Sequence, residues 1–166
     1  MKKNHIGKKF LFKNFEINES NTKAFNAVQN IISKEEIIYN PLYLSGYNGS
    51  GKTHLLKALA TETSNLNCKY ISMYDFLNSF TENIRSQTMS TFRESYFKLD
   101  ILCIDNFEYI QDKEATQDEI FNILSYLINS DKIIVVASSN NLDELNIANH
   151  LKSLIKYGEN IEIKST

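Results

Sequence analysis

Apolar runs and helical periodicities alternate along the chain and predict strands that alternate with helices. Residues 42–45, 69–73, 100–105 and 132–139 are rich in apolar and β-branched side chains over the length of a strand, and residues 160–164 add a possible fifth strand. Helices are predicted over 20–33, Lys52–Thr63, 74–85, 89–98, Thr116–Asn129 and about 142–156. Such an order predicts a mostly parallel sheet covered by helices on both faces, which is a three-layer α/β domain.

Two of these helices have apolar residues at helical spacing and are expected to pack on the sheet. The first begins at a Ser/Asn cap, and its predicted apolar face consists of Ala24, Ala27, Val28, Ile31 and Ile32. The face predicted for residues 116–129 consists of Ile120, Phe121, Ile123, Leu124 and Leu127.

Composition places the chain among soluble globular domains. It has 166 residues, of which 42% are hydrophobic and 23% charged, enough for one domain with its own core. No apolar run approaches a membrane span, and no signal peptide is recognisable, so we expect a cytoplasmic protein. Cys68 and Cys103 have no cysteine or histidine partner at metal-ligand spacing, and we expect two reduced thiols packed as small apolar groups.

Charge is uneven although the net charge is only −2. Five lysines precede the first acidic residue, Glu16: Lys2, Lys3, Lys8, Lys9 and Lys13. We predict a flexible basic arm over residues 1–13 and a nucleotide-binding domain over residues 14–166. The arm is either a solvated terminus or a segment that contacts phosphates.

A glycine-rich segment between the first strand and the next helix matches the phosphate-binding pattern G-x-x-x-x-G-K-[ST]. It reads GYNGSGKT. Its glycines let the backbone approach a phosphate, and its amides would point at phosphate oxygens from a helix N-terminus. Lys52 would reach the terminal phosphates, and the Thr53 hydroxyl group would bind Mg²⁺. The candidate binding residues here are Gly46, Asn48, Gly49, Ser50, Gly51, Lys52, Thr53 and the adjacent His54.

The third strand ends in an acidic residue that suits the metal side of such a site. Asp105 follows the apolar run ILCI, and a carboxylate at this place holds the Mg²⁺ shell in P-loop proteins. The next residue is Asn106, where ATPases of this kind usually have a second acid that polarises the attacking water. An amide cannot accept a proton, so the sequence predicts slow hydrolysis. The direction of the nearby Glu108 side chain does not follow from the sequence.

Longer motifs resemble the AAA+ domain of the bacterial replication initiator DnaA and its smaller relatives. FKNF followed by SNTKAFNA resembles the family's N-terminal box, and YNPLYLSGYNGSGKTHLLKALA resembles its phosphate loop and first helix. YISMYDFLNSFTENIR and FRESYFKLDILCIDNFEYIQDKEATQDEIFNIL resemble the next two boxes, and VVASSN resembles the sensor 1 strand. The resemblance covers about residues 10–160 in consistent order. It implies a P-loop NTPase fold of the AAA+ base type with a mostly parallel five-stranded sheet.

The resemblance also implies roles for individual positions. ATP or ADP would bind at residues 46–53, with Phe15 and Ile17 against the adenine. Asp105 would be the Walker B aspartate and would hold Mg²⁺ through water, together with Thr53. A polar side chain at sensor 1, Asn140, would read the γ-phosphate. The candidate catalytic residues are Asp105, Asn106 and Asn140.

The sequence departs from the family at positions that support hydrolysis. Family members have an arginine finger after sensor 1, whereas this chain reads HLKSLIKYG there, with Leu154 at the finger position and His150 at the first arginine. The chain also stops at Thr166, where the family's helical lid begins, so we expect the lid to be absent. For the same reason, we do not expect duplex origin boxes to be read.

The sequence favours a DnaA-like regulator that binds ATP or ADP, hydrolyses it weakly or not at all, and acts through contact with DnaA or a replisome component. An ATPase that loads a helicase or assists a transposase, like DnaC and IstB, is the alternative. A small P-loop phosphotransferase and an inactive gene product are weaker possibilities. Single-stranded DNA is a further possible partner, because the family contacts it through the segment that here contains Arg85, Arg93 and Lys98.

Overall fold

Five strands and six helices alternate through residues 10–165, which are the residues that this computed structural model describes. The strands are β1 (Leu42–Gly46), β2 (Cys68–Ser72), β3 (Ile101–Asp105), β4 (Ile133–Ser138) and β5 (Glu159–Ile163). The helices are α1 (Thr22–Ser33), α2 (Lys52–Glu62), α3 (Met73–Arg85), α4 (Met89–Phe97), α5 (Glu114–Asn129) and α6 (Asn149–Lys156). Three short 3₁₀ turns lie at Phe12–Asn14, Phe107–Ile110 and Leu142–Glu144.

The strands form one parallel sheet in the order β2-β3-β4-β1-β5. Every residue of β1 and β3 is buried, as expected for strands of a parallel sheet that is covered on both faces. Because the strands run in the same direction, their carboxyl ends meet at one edge of the sheet. The loops that leave β1, β3 and β4 therefore converge there, where ligands bind in open α/β sheets.

Two apolar cores lie on opposite faces of the sheet. Alternate residues of β3 divide between them: Leu102 and Ile104 join the core beneath α3 to α6, and Ile101 and Cys103 join the core beneath α1 and α2. This arrangement confirms the predicted three-layer α/β fold. Cys68 and Cys103 are free thiols, and Cys103 is buried in the second core, which agrees with their expected packing role.

The buried face of α1 differs from the predicted one at Phe25 and Ile32, and the predicted Ala27 is only half-buried. Ala24, Val28 and Ile31 are buried as expected, but Ile32 is 39% exposed and Phe25 is buried in its place. The reason is aromatic packing, because the ring of Phe25 stacks on Phe15 and contacts Phe12 edge to face. These contacts rotate the apolar face of α1 toward the N-terminal segment.

The segment predicted as one helical stretch over about 142–156 is interrupted. The 3₁₀ turn at Leu142–Glu144 ends in extended backbone at Leu145, and α6 begins only at Asn149. Leu145 and Ile147 are both buried between these elements. Side chains two residues apart point to the same side in extended backbone but not in a helix. The chain is therefore extended here, because this conformation buries both Leu145 and Ile147.

The basic arm predicted over residues 1–13 falls partly on residues 1–9, which lie outside the described residues. The remaining part packs on α2. The backbone amide of Phe12 donates to Glu62 Oε2 at 2.7 Å, and the Phe12 ring is buried in the core. In the described part of the chain, no helix is both long and apolar enough to cross a membrane.

Candidate functional site at the carboxyl edge of the sheet

The glycine-rich segment forms a tight loop between β1 and α2, in the strand–loop–helix context that the motif requires. Gly49 and Gly51 have φ angles of +87° and +102°, which side-chain-bearing residues rarely adopt. A Cβ atom on Gly51 would lie 2.7 Å from Cε2 of Phe15. The loop therefore turns immediately beneath an aromatic ring, and α2 begins at Lys52 with its free backbone amides directed toward the cleft.

Lys52 is buried within the loop and donates three hydrogen bonds to it. Its Nζ atom lies 2.5 Å from the Gly46 carbonyl oxygen, 3.0 Å from the Tyr47 carbonyl oxygen and 3.1 Å from Ser50 Oγ. Burial lowers the pKa of Lys52, and the negative charges of Asp105 and Glu108 oppose that shift. The ammonium group of Lys52 is thus held among oxygen acceptors at the edge where the strands end.

Asp105 is the centre of a hydrogen-bond cluster at the end of β3. It is 2% exposed, and its Oδ2 atom accepts from Thr53 Oγ1 at 2.5 Å and from the Tyr70 hydroxyl group at 2.7 Å. Its Oδ1 atom accepts from the backbone amide of Asn106 at 2.9 Å. The two residues expected on the metal side, Thr53 and Asp105, are therefore in direct contact.

Tyr70 belongs to this cluster although its sequence context does not indicate it. It lies on β2, in register with Cys103 of the neighbouring strand. Burial raises the pKa of Tyr70, and its hydrogen bond to Asp105 raises it further, so the hydroxyl group remains a proton donor. A tyrosine within an apolar strand is ordinary in sequence, and its partner is 35 positions away.

Glu108 points into the same cleft from the 3₁₀ turn after β3. Its Oε2 atom accepts a hydrogen bond of 3.2 Å from the backbone amide of Ser139, which follows β4. The carboxylate thus connects the ends of two adjacent strands. Its direction could not be predicted because a turn of φ +53° at Asn106 precedes it.

These groups surround a cleft of about 200 Å³. Its lining combines the phosphate loop, the end of β3 and the end of β4: Asn48, Gly49, Gly51, Lys52, Thr53, Asp105, Asn106, Glu108, Ser138 and Ser139. Free helix amides and one lysine suit an anion, and the carboxylate and hydroxyl oxygens suit a hard cation. The structure brings most of the predicted binding residues together here.

Other predicted site residues lie around the cleft rather than in its lining. The Asn140 side chain accepts from Ser139 Oγ at 3.2 Å, and its backbone carbonyl accepts from the Tyr43 hydroxyl group at 2.7 Å. His54 contacts the N-terminal segment, with Nε2 at 2.7 Å from the Leu11 carbonyl oxygen. These residues hold neighbouring segments in place.

Phe15 and Ile17 line a separate cleft beside the loop, bounded also by α1. The Phe15 ring packs over Gly51 and edge to face against His54. Ile17 is 54% exposed. Phe15 is therefore adjacent to the phosphate loop, and Ile17 lies in the cleft that Phe15 also lines.

The donor set fits a magnesium ion bound jointly with a ligand. In residues 10–165, no group of three or more histidine, cysteine, aspartate or glutamate side chains could hold a metal ion alone. Mg²⁺ usually binds through one or two protein oxygens, several waters and substrate phosphates. Thr53 Oγ1 and Asp105 Oδ2 provide such oxygens at the mouth of the phosphate loop.

The three basic residues considered for single-stranded DNA have different environments. Arg93 forms a two-point ion pair with Glu119 of α5, at 2.8 Å and 3.0 Å. Arg85 is exposed and pairs with Glu82 one turn away in α3 at 3.3 Å. Lys98 is exposed at the end of α4. The guanidinium group of Arg93 is therefore engaged in joining two helices.

Comparison with known proteins gives a consistent result over nearly the whole chain. The family model for the bacterial DnaA ATPase domain matches residues 6–162. The chromosomal replication initiator protein DnaA of Helicobacter hepaticus is 34% identical over 157 residues, which are 93% of this chain and 34% of that protein. The chain thus spans about a third of the length of the curated relatives it matches.

Comparison with solved structures leads to the same family. AMPPCP-bound DnaA from Aquifex aeolicus superposes with a TM-score of 0.89 at 32% identity, over 93% of this chain and 50% of that one. A DnaA bound to AMPPCP and single-stranded DNA superposes with a TM-score of 0.91 at 31% identity, over 95% and 50% of the two chains. The DnaC helicase loader, at 16% identity and a TM-score of 0.77 over 95% and 98%, shares the fold alone. The chain belongs to the bacterial DnaA ATPase domain family, with the AAA+ P-loop fold of that family.

Proposed function

We propose that the chain binds ATP or ADP with Mg²⁺, hydrolyses ATP slowly, and acts in or regulates the initiation of bacterial chromosome replication through protein–protein contacts. One observation carries the proposal: Lys52, Thr53 and Asp105 meet in a single cleft at the carboxyl edge of the sheet. Phosphate oxygens would replace the loop oxygens that now accept from Lys52. The relatives that contain AMPPCP support the same ligand class.

The binding role is assigned residue by residue. Backbone amides from Asn48 to Thr53, with His54 behind them, would surround the phosphates at the start of α2. Mg²⁺ would be held by Thr53 directly and by Asp105 through water. Phe15 and Ile17 would lie on the adenine side, because Phe15 packs against Gly51 and both side chains line the cleft beside it.

Slow hydrolysis follows from the groups near the end of β3 and after β4. Asn106 cannot accept a proton from water, and Asn140 would contribute only hydrogen bonds at the γ-phosphate. Leu154 stands where the family has its arginine finger, and such a finger is worth about 10³ to 10⁵ in rate. A slowly hydrolysed nucleotide persists, which suits a protein whose partners respond to the bound state.

A helicase-loading role like that of DnaC is the second candidate, since the chain shares that fold over almost all of its length. The two roles differ in partner. A pull-down with and without ATP should recover DnaA for the first role and the replicative helicase for the second.

Single-stranded DNA binding is a separate part of the proposal. It is supported by the DnaA structure that contains it. In this chain the exposed cations Arg85 and Lys98 are the better candidates, because Arg93 is engaged with Glu119. A fluorescence titration with a single-stranded oligonucleotide should show salt-dependent binding that weakens in an R85A/K98A variant.

The central experiment is a titration with a fluorescent ATP analogue, in the presence and absence of Mg²⁺, together with a turnover assay. We expect Mg²⁺-dependent binding that falls at least about tenfold in K52A, because the variant lacks the cation that reaches the phosphates. The matched control is K156A, since Lys156 is an exposed lysine on α6 that pairs with Asp143. Absence of binding would overturn the nucleotide assignment, and rapid turnover that K52A abolishes would overturn slow hydrolysis.

A further inference from the structure

We propose that Glu108 supplies the carboxylate that position 106 lacks, and that it orients and deprotonates the water that attacks the terminal phosphate. The inference rests on the proposed nucleotide site and names the residue that carries its slow turnover. The role of base thus passes from position 106, directly after Asp105, to Glu108, which is three positions after Asp105.

The first argument is the position of the side chain. Asn106 adopts a left-handed conformation of φ +53° and ψ +44°, which turns the chain sharply at the end of β3. The following 3₁₀ turn then directs Glu108 toward β4, where its Oε2 atom accepts from the Ser139 amide. Glu108 consequently lines the same cleft as Lys52 and Thr53, between the phosphate loop and the end of the sensor strand.

The second argument is chemical. The hydrogen bond from Ser139 uses one oxygen of the carboxylate, and no donor among the described residues occupies the other. The Glu108 charge acts on Lys52, opposing the effect of burial on the pKa of that lysine. The carboxylate therefore shares the cleft with the cation that would hold the terminal phosphates, and it has one acceptor oxygen left for a water molecule.

The third argument is rigidity. The first and last residues of the turn, Phe107 and Ile110, are wholly buried, whereas Tyr109 beside Glu108 is exposed. Further along, the Gln117 side chain donates to the Ile110 carbonyl oxygen at 3.0 Å and accepts from the Ala148 amide at 2.8 Å. The turn is thereby fixed to the core and to the segment after β4. A carboxylate on such a turn keeps its position, as efficient proton transfer requires.

The reaction step balances without any additional reagent. The water oxygen forms a bond to the γ-phosphorus atom while the bond from that atom to the β,γ-bridging oxygen breaks. Glu108 takes the water proton and later releases it to the phosphate product or to solvent. The products are ADP and inorganic phosphate.

A purely structural role would consist of the hydrogen bond to Ser139 alone, and the variant E108Q separates the two roles. The amide oxygen of glutamine can still accept from Ser139, but glutamine cannot accept a proton. We expect single-turnover hydrolysis in E108Q to fall at least about 100-fold. Nucleotide affinity should stay within about threefold, and the exchange protection of the Ser139 amide should be unchanged.

A second readout does not depend on rate. Protein incubated with ATP and recovered by gel filtration should retain ATP in E108Q, whereas the wild type should contain ADP after the same time. The variant N106D/E108Q should recover part of the activity, because it restores an acid at the adjacent position. E144Q is the control, since Glu144 is an exposed acid on the 3₁₀ turn after β4.

Four results overturn the assignment. Turnover in E108Q within threefold of the wild type, or a wild type that binds ATP without any measurable turnover, would remove Glu108 as the base while the binding proposal stands. Failure of the wild type to bind nucleotide would instead overturn the proposed function, and this assignment with it. A fall in turnover accompanied by loss of Ser139 protection would show a structural role and would also overturn it.

Discussion

Tyr70 and Asp105 lie on adjacent strands, and the tyrosine hydroxyl group donates a 2.7 Å hydrogen bond to Oδ2 of the aspartate. Thr53 donates to the same oxygen from the start of α2. Two hydroxyl groups from different elements therefore hold one orientation of the buried acid. The orientation of Asp105, on the proposed metal side, therefore depends on Tyr70 of β2, which is not part of the phosphate-loop motif.

Removing that hydroxyl group should affect both stability and metal binding. In Y70F, Asp105 remains buried with one donor fewer, and hydrogen bonds to charged groups are worth about 1.5–3 kcal/mol. We expect the free energy of unfolding to fall by about 1–2 kcal/mol, because Tyr70 is only half-buried. The Mg²⁺ concentration needed for nucleotide binding should rise severalfold. Urea unfolding and Mg²⁺ titration measure the two effects, and equal values for Y70F and the exposed control Y157F would contradict the prediction.

The two loop glycines should respond differently to alanine. In G49A the new Cβ meets nothing within 4 Å and only the positive φ of +87° is unfavourable, which costs about 1–2 kcal/mol. In G51A the Cβ also meets the Phe15 ring at 2.7 Å, so the loop or the ring has to move. We expect G51A to lose more stability and more nucleotide affinity than G49A. Thermal unfolding and the fluorescent-nucleotide titration test the order of the pair.

The ion pair between α4 and α5 predicts that Arg93 contributes more to stability than Arg85 does. Glu119 is only 5% exposed in its side chain, and Arg93 is its partner at 2.8 Å. R93A would leave a buried carboxylate unpaired, and after allowance for the 46% exposure of Arg93 we expect a loss of about 1–2 kcal/mol. R85A removes an exposed pair within α3 and should change stability by less than about 0.5 kcal/mol. Urea unfolding would contradict this if the two variants were equally stable.

Asp100 should make stability depend on acid pH. The backbone amide of Asn67 and the ammonium group of Lys132 hold the pKa of Asp100 below its ordinary value of 3.8. Since the pKa is lower in the folded than in the unfolded state, the stabilisation is fully present above about pH 4 and is lost as the pH falls through the folded-state value.

In D100N this contribution is missing at every pH. The variant should therefore be less stable than the wild type at pH 7, and the gap should narrow as the pH falls to 3. Urea unfolding midpoints at both pH values measure this change. The control is D131N, since Asp131 is an exposed acid in the turn before β4, and a gap for D100N that is constant with pH would contradict the prediction.

How far the sequence predicts the structure depends on how local each signal is. β3 and β4 begin and end within one residue of their predicted bounds, because their apolar runs are continuous and end in polar residues. The sequence signal for the phosphate loop is equally local, because the whole motif lies within eight consecutive residues. The sequence does not predict the break between Leu142 and Asn149, because helical spacing of apolar residues does not reveal that Leu145 and Ile147 are buried in extended backbone.

The missed parts of the candidate site are those that depend on pairing between distant segments. Tyr70 reaches Asp105 only because β2 and β3 are adjacent and in a particular register. Glu108 reaches Ser139 only because of the left-handed turn at Asn106 and the proximity of β4. A motif gives the types of the residues at a site, whereas these contacts depend on which strands are neighbours.

The buried side chain of Gln117 gives the cleft a support outside its own lining. One end of its amide holds the turn that contains Glu108, and the other holds the residue that precedes α6. Two segments that are far apart in sequence, the turn after β3 and the start of α6, are thus joined by one uncharged group on α5. A substitution at Gln117 would change no residue of the cleft lining, yet it would release the turn that positions Glu108 from the segment before α6. The geometry of the cleft therefore depends on a side chain that lies outside it.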